Sequence, residues 1–399
     1  MSQEKVKKLY NYVSKEILNY KQDLPRHNSA VLFSFLSALT NSSALIIGEP
    51  GTGKTTLAQF LASAFTKTNY IEVENATLKG SPEITLEYII GRPHLGELNQ
   101  GNEKVIWSSF VAANYKIIDE INRIPEFKQN ILLSGLNSNN WNYLNETYTA
   151  QSGPIYATAN QDDAGNFSII PPLLDRFDVC VELKSPGLNN LKMLNKNDIL
   201  SRYKELSSDG IKNFLWAENN FSKEDVVKEI MAVKFSLEAE LFSDYLISET
   251  SSCYQFGEKR SNQLCPEGCH YSSYACNKTK GALTIRSSRA LEKFSKAYAY
   301  LSGKDVVETD DVMTVFPFIS WHKLSPKRDF LASIIDAKRE DTLDLHALKL
   351  LTVDMRKRAD KTFSKQASLL KKLATGHFKE AIDMAEKLDH PVFKNYLGG

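Results

Sequence analysis

Ala44-Leu-Ile-Ile-Gly-Glu-Pro-Gly-Thr-Gly-Lys-Thr-Thr56 is the most informative stretch of this 399-residue sequence. A short apolar run closing on glycine reads as a buried strand, and the residues from Thr55 to Phe65 read as the helix that follows it. Between them the sequence fits G-x-x-x-x-G-K-[ST], the loop whose glycines let successive backbone N–H groups turn inward on phosphate oxygens. The positive end of the following helix adds to that field. Gly48, Glu49, Pro50, Gly51, Thr52, Gly53, Lys54, Thr55 and Thr56 are therefore expected to hold a nucleotide. Lys54 would reach the β- and γ-phosphates, and the Thr55 hydroxyl would ligate Mg²⁺.

Similar apolar runs lie on either side. YIEVEN (70–75), YKIID (115–119), PIYATAN (154–160) and DVCVEL (178–183) are expected strands, separated for the most part by helical patterns such as Glu126 to Leu136. Strands alternating with helices predict a parallel sheet covered on both faces, an α/β domain over 25–185. The YKIID strand ends in Asp119-Glu120, and residues at the carboxyl ends of parallel strands face the ligand crevice. Asp119 can hold Mg²⁺, and Glu120 can orient or deprotonate an attacking water.

Before this domain, Val6, Leu9, Tyr10 and Val13 recur at helical spacing, giving a helical segment over 1–24, and a second helical run covers Ala30 to Leu39. After Pro186 the pattern turns helical: Ser222 to Ile247, Arg289 to Leu301, Thr309 to Phe318, and Pro326 to Leu397 with interruptions. The expected division is an α-helical domain over 186–325, with a cysteine-bearing insertion at 250–280, then a helical extension over 326–399. Hydrophobic residues at 42% and charged residues at 24% are ordinary for a globular chain and exclude wholesale disorder. A net charge of +1 provides no global field towards nucleic acid or anionic lipid. No apolar run approaches a membrane span, and the charged start lacks a signal core, so a cytoplasmic protein is expected.

Further motifs fall in a recognisable order. Ile118-Asp-Glu-Ile-Asn-Arg-Ile-Pro125, Ala157-Thr-Ala-Asn160, Leu173-Leu-Asp-Arg-Phe-Asp178, Ser287-Ser-Arg-Ala-Leu291 and Gly303-Lys-Asp305 with Thr309-Asp-Asp-Val312 follow the phosphate loop in turn. Together they resemble the MoxR-type branch of AAA+ ATPases, over roughly 40–325. That resemblance implies a P-loop αβα core with a parallel sheet, an all-α lid, and ATP hydrolysis with Mg²⁺. It implies that Asn160 acts as sensor 1 on the lytic water or γ-phosphate. Arg176 would be the arginine finger acting on a neighbouring subunit, with Arg123 its rival, and Arg289 the sensor-2 residue of the lid. It further implies a homo-oligomeric, hexameric ring that remodels partner proteins in a chaperone-like way, often partners with a von Willebrand A domain. Glu87–Trp107 and Trp141–Tyr148 occupy the places of the family's helical insertion and hairpin, where Trp141 and Tyr143 could face a partner or pack in the core. Two departures stand out: Ser288 replaces the usual sensor-2 proline, and 162–166 lacks the prolines common after sensor 1.

Cys253, Cys265, Cys269 and Cys276, with His270 adjacent, suit a structural Zn²⁺, while an Fe–S cluster, disulfides or inert thiols remain open. Cys180, on an apolar strand, is expected in the core. Arg356 to Lys372 carries seven basic residues and one acidic one, a run that could meet nucleic acid or an acidic partner, or be a solvated face. Two rivals to the remodelling ATPase therefore stand: a nucleic-acid motor using this tail and the cysteine knuckle, and a nucleotide-gated scaffold that hydrolyses little.

Overall fold

The apolar run at 44–47 has no polar alternation, and in the computed structural model it forms β1 (Ser43–Gly48), buried from both faces. The structure describes residues 2–17, 20–160, 167–184, 222–253, 269, 271–335 and 341–388. The 162–166 loop, 186–221, Cys265, His270 and the last residues of the extension, all of which figured in the sequence reading, lie outside these. The chain divides into two compact units, Met1–Lys228 and Glu229–Gly399.

In the first unit β1 sits inside a parallel sheet with β2 (Leu78–Lys79), β3 (Lys116–Asp119), β4 (Ile155–Asn160) and β5 (Val179–Glu182). Among the described residues the order is β2-β3-β4-β1-β5. The register sets Gly48 beside Asn160, Ile118 beside Ala157 and Lys79 beside Asp119, so the ends of β1, β3 and β4 share one edge. Helix α1 (Ser2–Asn11) buries Val6, Leu9 and Tyr10, the stripe its spacing predicts. Helix α2 (Ser29–Thr40) is buried along its whole length, and Asn28 caps it by accepting from the Val31 N–H at 3.1 Å. Helix α3 (Lys54–Thr66) follows the phosphate loop.

The expected strand at 70–75 is instead a helix, α4 (Tyr70–Asn75). Asn69 caps it, and Tyr70 and Val73, three residues apart, are its buried positions. The Tyr70 hydroxyl donates to Gln59 Oε1 at 2.9 Å, while Ile71, which strand alternation cannot leave outside beside a buried Val73, is 56% exposed. The second strand is only the two residues Leu78–Lys79, too short to leave a pattern in the sequence.

Helix α5 (Glu126–Ser138) leads into the hairpin Asn140–Tyr143 with Glu146–Thr149. Trp141 is buried in the core, edge-on to Phe110 at 5.6 Å, and its ring lies where a Cβ on Gly135 would come within 2.5 Å, so only glycine fits there. Tyr143 is half-buried. The insertion before it carries its own hairpin, Gly91–Pro93 with Val105–Trp107, and the two hairpins meet through Trp107 and Tyr148 at 5.6 Å and through the Val105 N–H donating to Glu146 Oε2 at 3.2 Å.

The second unit is helical: α6 (Leu237–Ser251), α7 (Ile285–Leu301), α8 (Thr309–Leu324), α9 (Leu343–Ala374) and α10 (Phe378–Leu388). The single helix expected over Ser222–Ile247 is broken, because Lys234–Phe235 pairs with Val306–Val307 and Ser236 then caps α6. Glu249 is fully buried near the end of α6, accepts from the Ala275 N–H at 2.9 Å, and is paired with Arg358 of α9. A buried carboxylate so satisfied ties α6, α9 and the far end of the cysteine insertion together. Among the described residues, no helix is long and apolar enough to cross a membrane.

Candidate ATP site

The phosphate loop joins β1 to α3, and its shape depends on Gly51 and Gly53, whose φ angles of 77° and 89° suit glycine above other residues. Gly53 is the residue from which α3 starts. Thr52 Oγ1 donates to Glu49 O at 2.9 Å and closes the loop. Lys54, 6% exposed, donates from Nζ to Gly48 O at 2.9 Å and Glu49 O at 2.7 Å. Burial lowers the pKa of this ammonium, against the opposing pull of Asp119, Glu120 and Glu49. Thr56, half-buried in the first turn of α3, completes the segment.

Asp119 and Glu120 stand at the end of β3, on the edge shared with the loop. Asp119 Oδ1 accepts from Thr55 Oγ1 at 2.5 Å and from Thr158 Oγ1 at 2.7 Å. Glu120 has a left-handed backbone (φ 52°, ψ 53°), a conformation that costs a non-glycine residue roughly 1 kcal/mol and is held here by its surroundings. Its N–H donates to Thr158 Oγ1 at 2.9 Å. Its carboxylate accepts from Asn160 Nδ2 at 2.9 Å on Oε1 and pairs with Arg123 Nε at 3.1 Å on Oε2. Asn122 donates from Nδ2 to Asn160 O at 2.7 Å and ties the turn after β3 to the end of β4. Lys54, Thr55, Asp119, Glu120 and Asn160, five residues picked from scattered motifs, are thus gathered on one edge of the sheet.

Arg176 is placed elsewhere. Its carbonyl accepts from Ser43 Oγ at 2.7 Å, Ser43 N–H donates to Asp178 Oδ2 at 3.1 Å, and its Nη1 donates to Asn137 near the end of α5. Ser43 is the first residue of β1 and the phosphate loop follows the last, so a strand of about 16 Å separates them at ~3.3 Å per residue. Arg289 belongs to the second unit, where it is exposed on the opening turns of α7, beside a buried Ser287 that accepts from Lys323 Nζ at 3.2 Å.

The sequence reading passed over Thr158, Asn122 and Tyr20. Thr158 and Asn160 share a strand face at i and i+2, a signal that could have been used. Tyr20 left none: its hydroxyl donates to Thr52 O at 3.1 Å across 32 residues of chain, and burial pushes its phenol up to about 12. Cys180 is buried on β5, as expected of a core thiol. Cys253, Cys269 and Cys276 are not joined to one another by a disulfide, and no cluster of three or more His, Cys, Asp or Glu suited to a metal ion occurs among the described residues, so the zinc expectation receives no support from them. The basic tail is partly spent within its own unit: Arg356 pairs with Asp360 at 3.0 Å, Arg358 with Glu249, and Lys372 with Glu380.

Two sequence-family models match the chain. Residues 43–177 match the AAA domain of the dynein-related subfamily, and residues 278–341 match an AAA lid domain. No curated protein sequence matches significantly. Among solved structures, the chain is similar to a candidate ATPase from Cytophaga hutchinsonii, with a TM-score of 0.53 at 17% identity over 87% of this chain and 96% of that one. At that identity the likeness concerns the fold. With the phosphate loop and acidic pair on the shared sheet edge, an AAA domain of the dynein-related type and an AAA lid, the chain is a P-loop AAA+ ATP hydrolase.

Proposed function

We propose that this ATPase works as a ring of identical subunits, each completing its neighbour's site, and that hydrolysis remodels a partner protein. The placement of Arg176 carries the reading. Anchored at the amino end of β1, it stands about a strand's length, roughly 16 Å, from the phosphate loop of its own subunit, beyond what one side chain spans. A guanidinium there serves a phosphate only across a subunit boundary, where a trans arginine contributes 10³–10⁵ in rate in the GTPase precedent.

Within a subunit the chemistry follows from the geometry. Lys54 Nζ exchanges the Gly48 and Glu49 carbonyls for phosphate oxygens. Thr55 and Asp119 offer two hard oxygen donors 2.5 Å apart at the foot of the loop, which suit Mg²⁺. The ion, when bound, neutralises charge on the β- and γ-phosphates. Asn160 orients a water and Glu120 takes its proton as the water oxygen attacks the γ-phosphorus. The bond from phosphorus to the bridging oxygen breaks, and ADP and phosphate leave. Arg289 reports nucleotide occupancy to the lid.

A hexameric, cytoplasmic assembly acting on partners such as those with von Willebrand A domains is the form this reading takes. The internal pairing of Arg356, Arg358 and Lys372 favours a protein partner over nucleic acid, because three cations of the tail already face acids. The test is ATPase rate per subunit against protein concentration, with mass by light scattering in the same samples. A rate climbing as assemblies form is expected. A flat rate from a monomer rejects the shared site, and strong stimulation by DNA rejects the protein-partner reading.

A further inference from the structure

Thr158 is buried in β4, with no exposed surface, and its hydroxyl is used twice. It donates to Asp119 Oδ1 at 2.7 Å and accepts from the Glu120 N–H at 2.9 Å. One oxygen therefore holds the side chain of the residue fit for Mg²⁺ and the backbone of the proposed base. The arrangement arises from register: Ile118 pairs with Ala157, so Asp119 and Thr158 are the next residues along two neighbouring strands. Asp119 Oδ1 is also the oxygen that meets Thr55. When Thr55 and Asp119 turn to an ion, the Thr158 hydroxyl is the contact left to fix the orientation of the Asp119 carboxylate. For Glu120, the bond to its N–H holds a backbone conformation that a non-glycine residue does not choose freely.

We propose that Thr158 is a positioning residue for hydrolysis, which aims Asp119 at Mg²⁺ and locks the Glu120 backbone through a single hydroxyl. This rests on the reading of Asp119 and Glu120 given above. The specific requirement is for the hydroxyl, since valine has the same shape without the donor or the acceptor. Loss of an outer hydrogen-bond partner of a metal ligand typically costs 10–100-fold in metal affinity or activity.

The test is calorimetric titration of the full chain with the β,γ-imido analogue of ATP, with Mg²⁺ and in EDTA, alongside steady-state turnover. Thr158→Val should leave the affinity in EDTA within about twofold, because the loop and Lys54 are untouched. It should lower the tightening caused by Mg²⁺ about tenfold and turnover by 10–100-fold. Thr158→Ser, which retains the hydroxyl, should keep the wild-type Mg²⁺ increment. Thr158→Ala, which has neither the hydroxyl nor any γ-methyl, repeats the comparison should the valine variant not fold. An unchanged Mg²⁺ increment in the valine or alanine variant overturns the proposal, as does a serine variant as impaired as valine. The underlying reading fails separately: wild-type turnover in Glu120→Gln removes Glu120 as base yet leaves the Mg²⁺ increment measurable.

Discussion

Glu120 shows how much of a site can rest on one residue's surroundings. Its backbone is left-handed, its N–H is taken by Thr158, and its two carboxylate oxygens are taken by Asn160 and Arg123. The Asn160 and Arg123 contacts can yield to water, whereas the buried Thr158 contact stays with the fold. Glu120→Gln keeps the shape and the Thr158 contact, but its single amide oxygen can accept from only one of Asn160 and Arg123, and the variant has lost the proton acceptor. It should bind ATP within a few-fold of wild type and lower turnover at least 100-fold, on the scale of a lost general base. Lys54→Ala should instead weaken nucleotide binding itself, since its ammonium is the buried cation of the loop. Fluorescent-nucleotide titration together with phosphate release separates the two, and equal turnover in Glu120→Gln and wild type removes Glu120 from the mechanism. Arg123, the rival finger, pairs with Glu120 of its own chain at 3.1 Å, on the same sheet edge as the phosphate loop.

At the scale of elements, β3 carries a conflict at one end and chemistry at the other. It starts with Lys116, 4% exposed, whose ammonium donates to Ala113 O at 2.5 Å and Tyr115 O at 3.2 Å. Burial pushes this ammonium from 10.5 down to about 8. Between those values the unfolded chain holds a proton that the folded chain has released, so this group adds stability as pH rises. The cost of charging it in the fold is fully present below about 8 and is relieved as pH rises from there towards 10.5. Lys116→Met should therefore exceed wild type in stability at pH 7 by on the order of 1–3 kcal/mol. The margin should narrow by pH 10, as read from urea midpoints at the two pH values. A margin that does not change with pH assigns the effect to packing instead. The neighbouring element carries a different lesson. YIEVEN fits alternation as well as helical spacing, and the Asn69 cap, the Tyr70–Gln59 contact and the burial of Val73 with Ile71 outside belong to the helix α4.

For the whole molecule, the question is what one subunit lacks. Arg176 hangs from Ser43, a strand's length from its own phosphate loop, and in the proposed ring the missing cation comes from the neighbouring subunit. Arg176→Ala alone should turn over at less than a tenth of the wild-type rate while keeping nucleotide affinity, a conservative floor for a trans arginine. Mixed with a Lys54→Ala chain, it should regain activity, because the interface formed by a Lys54-intact site and an Arg176-intact neighbour is complete. Mixing that restores nothing, with mixed assemblies verified by mass, confines Arg176 to a structural role.

Sequence alone determined the parts whose physics is local. Glycines at 51 and 53 permit the loop's backbone, an apolar run makes a central strand, and an acidic pair at the end of another strand must face the crevice of a parallel sheet. These constraints act over a few residues, so spacing is enough to read them. Tertiary structure alone decided the rest. It placed Thr158 between Asp119 and Glu120 through strand register, brought Tyr20 to the loop from 32 residues away, and buried Trp141 against Gly135. It also turned Arg358 from a member of a basic run into the partner of a buried Glu249, 109 residues earlier. Contacts of that kind depend on which strands and helices become neighbours, a property of the whole packed chain that no short window of residues contains.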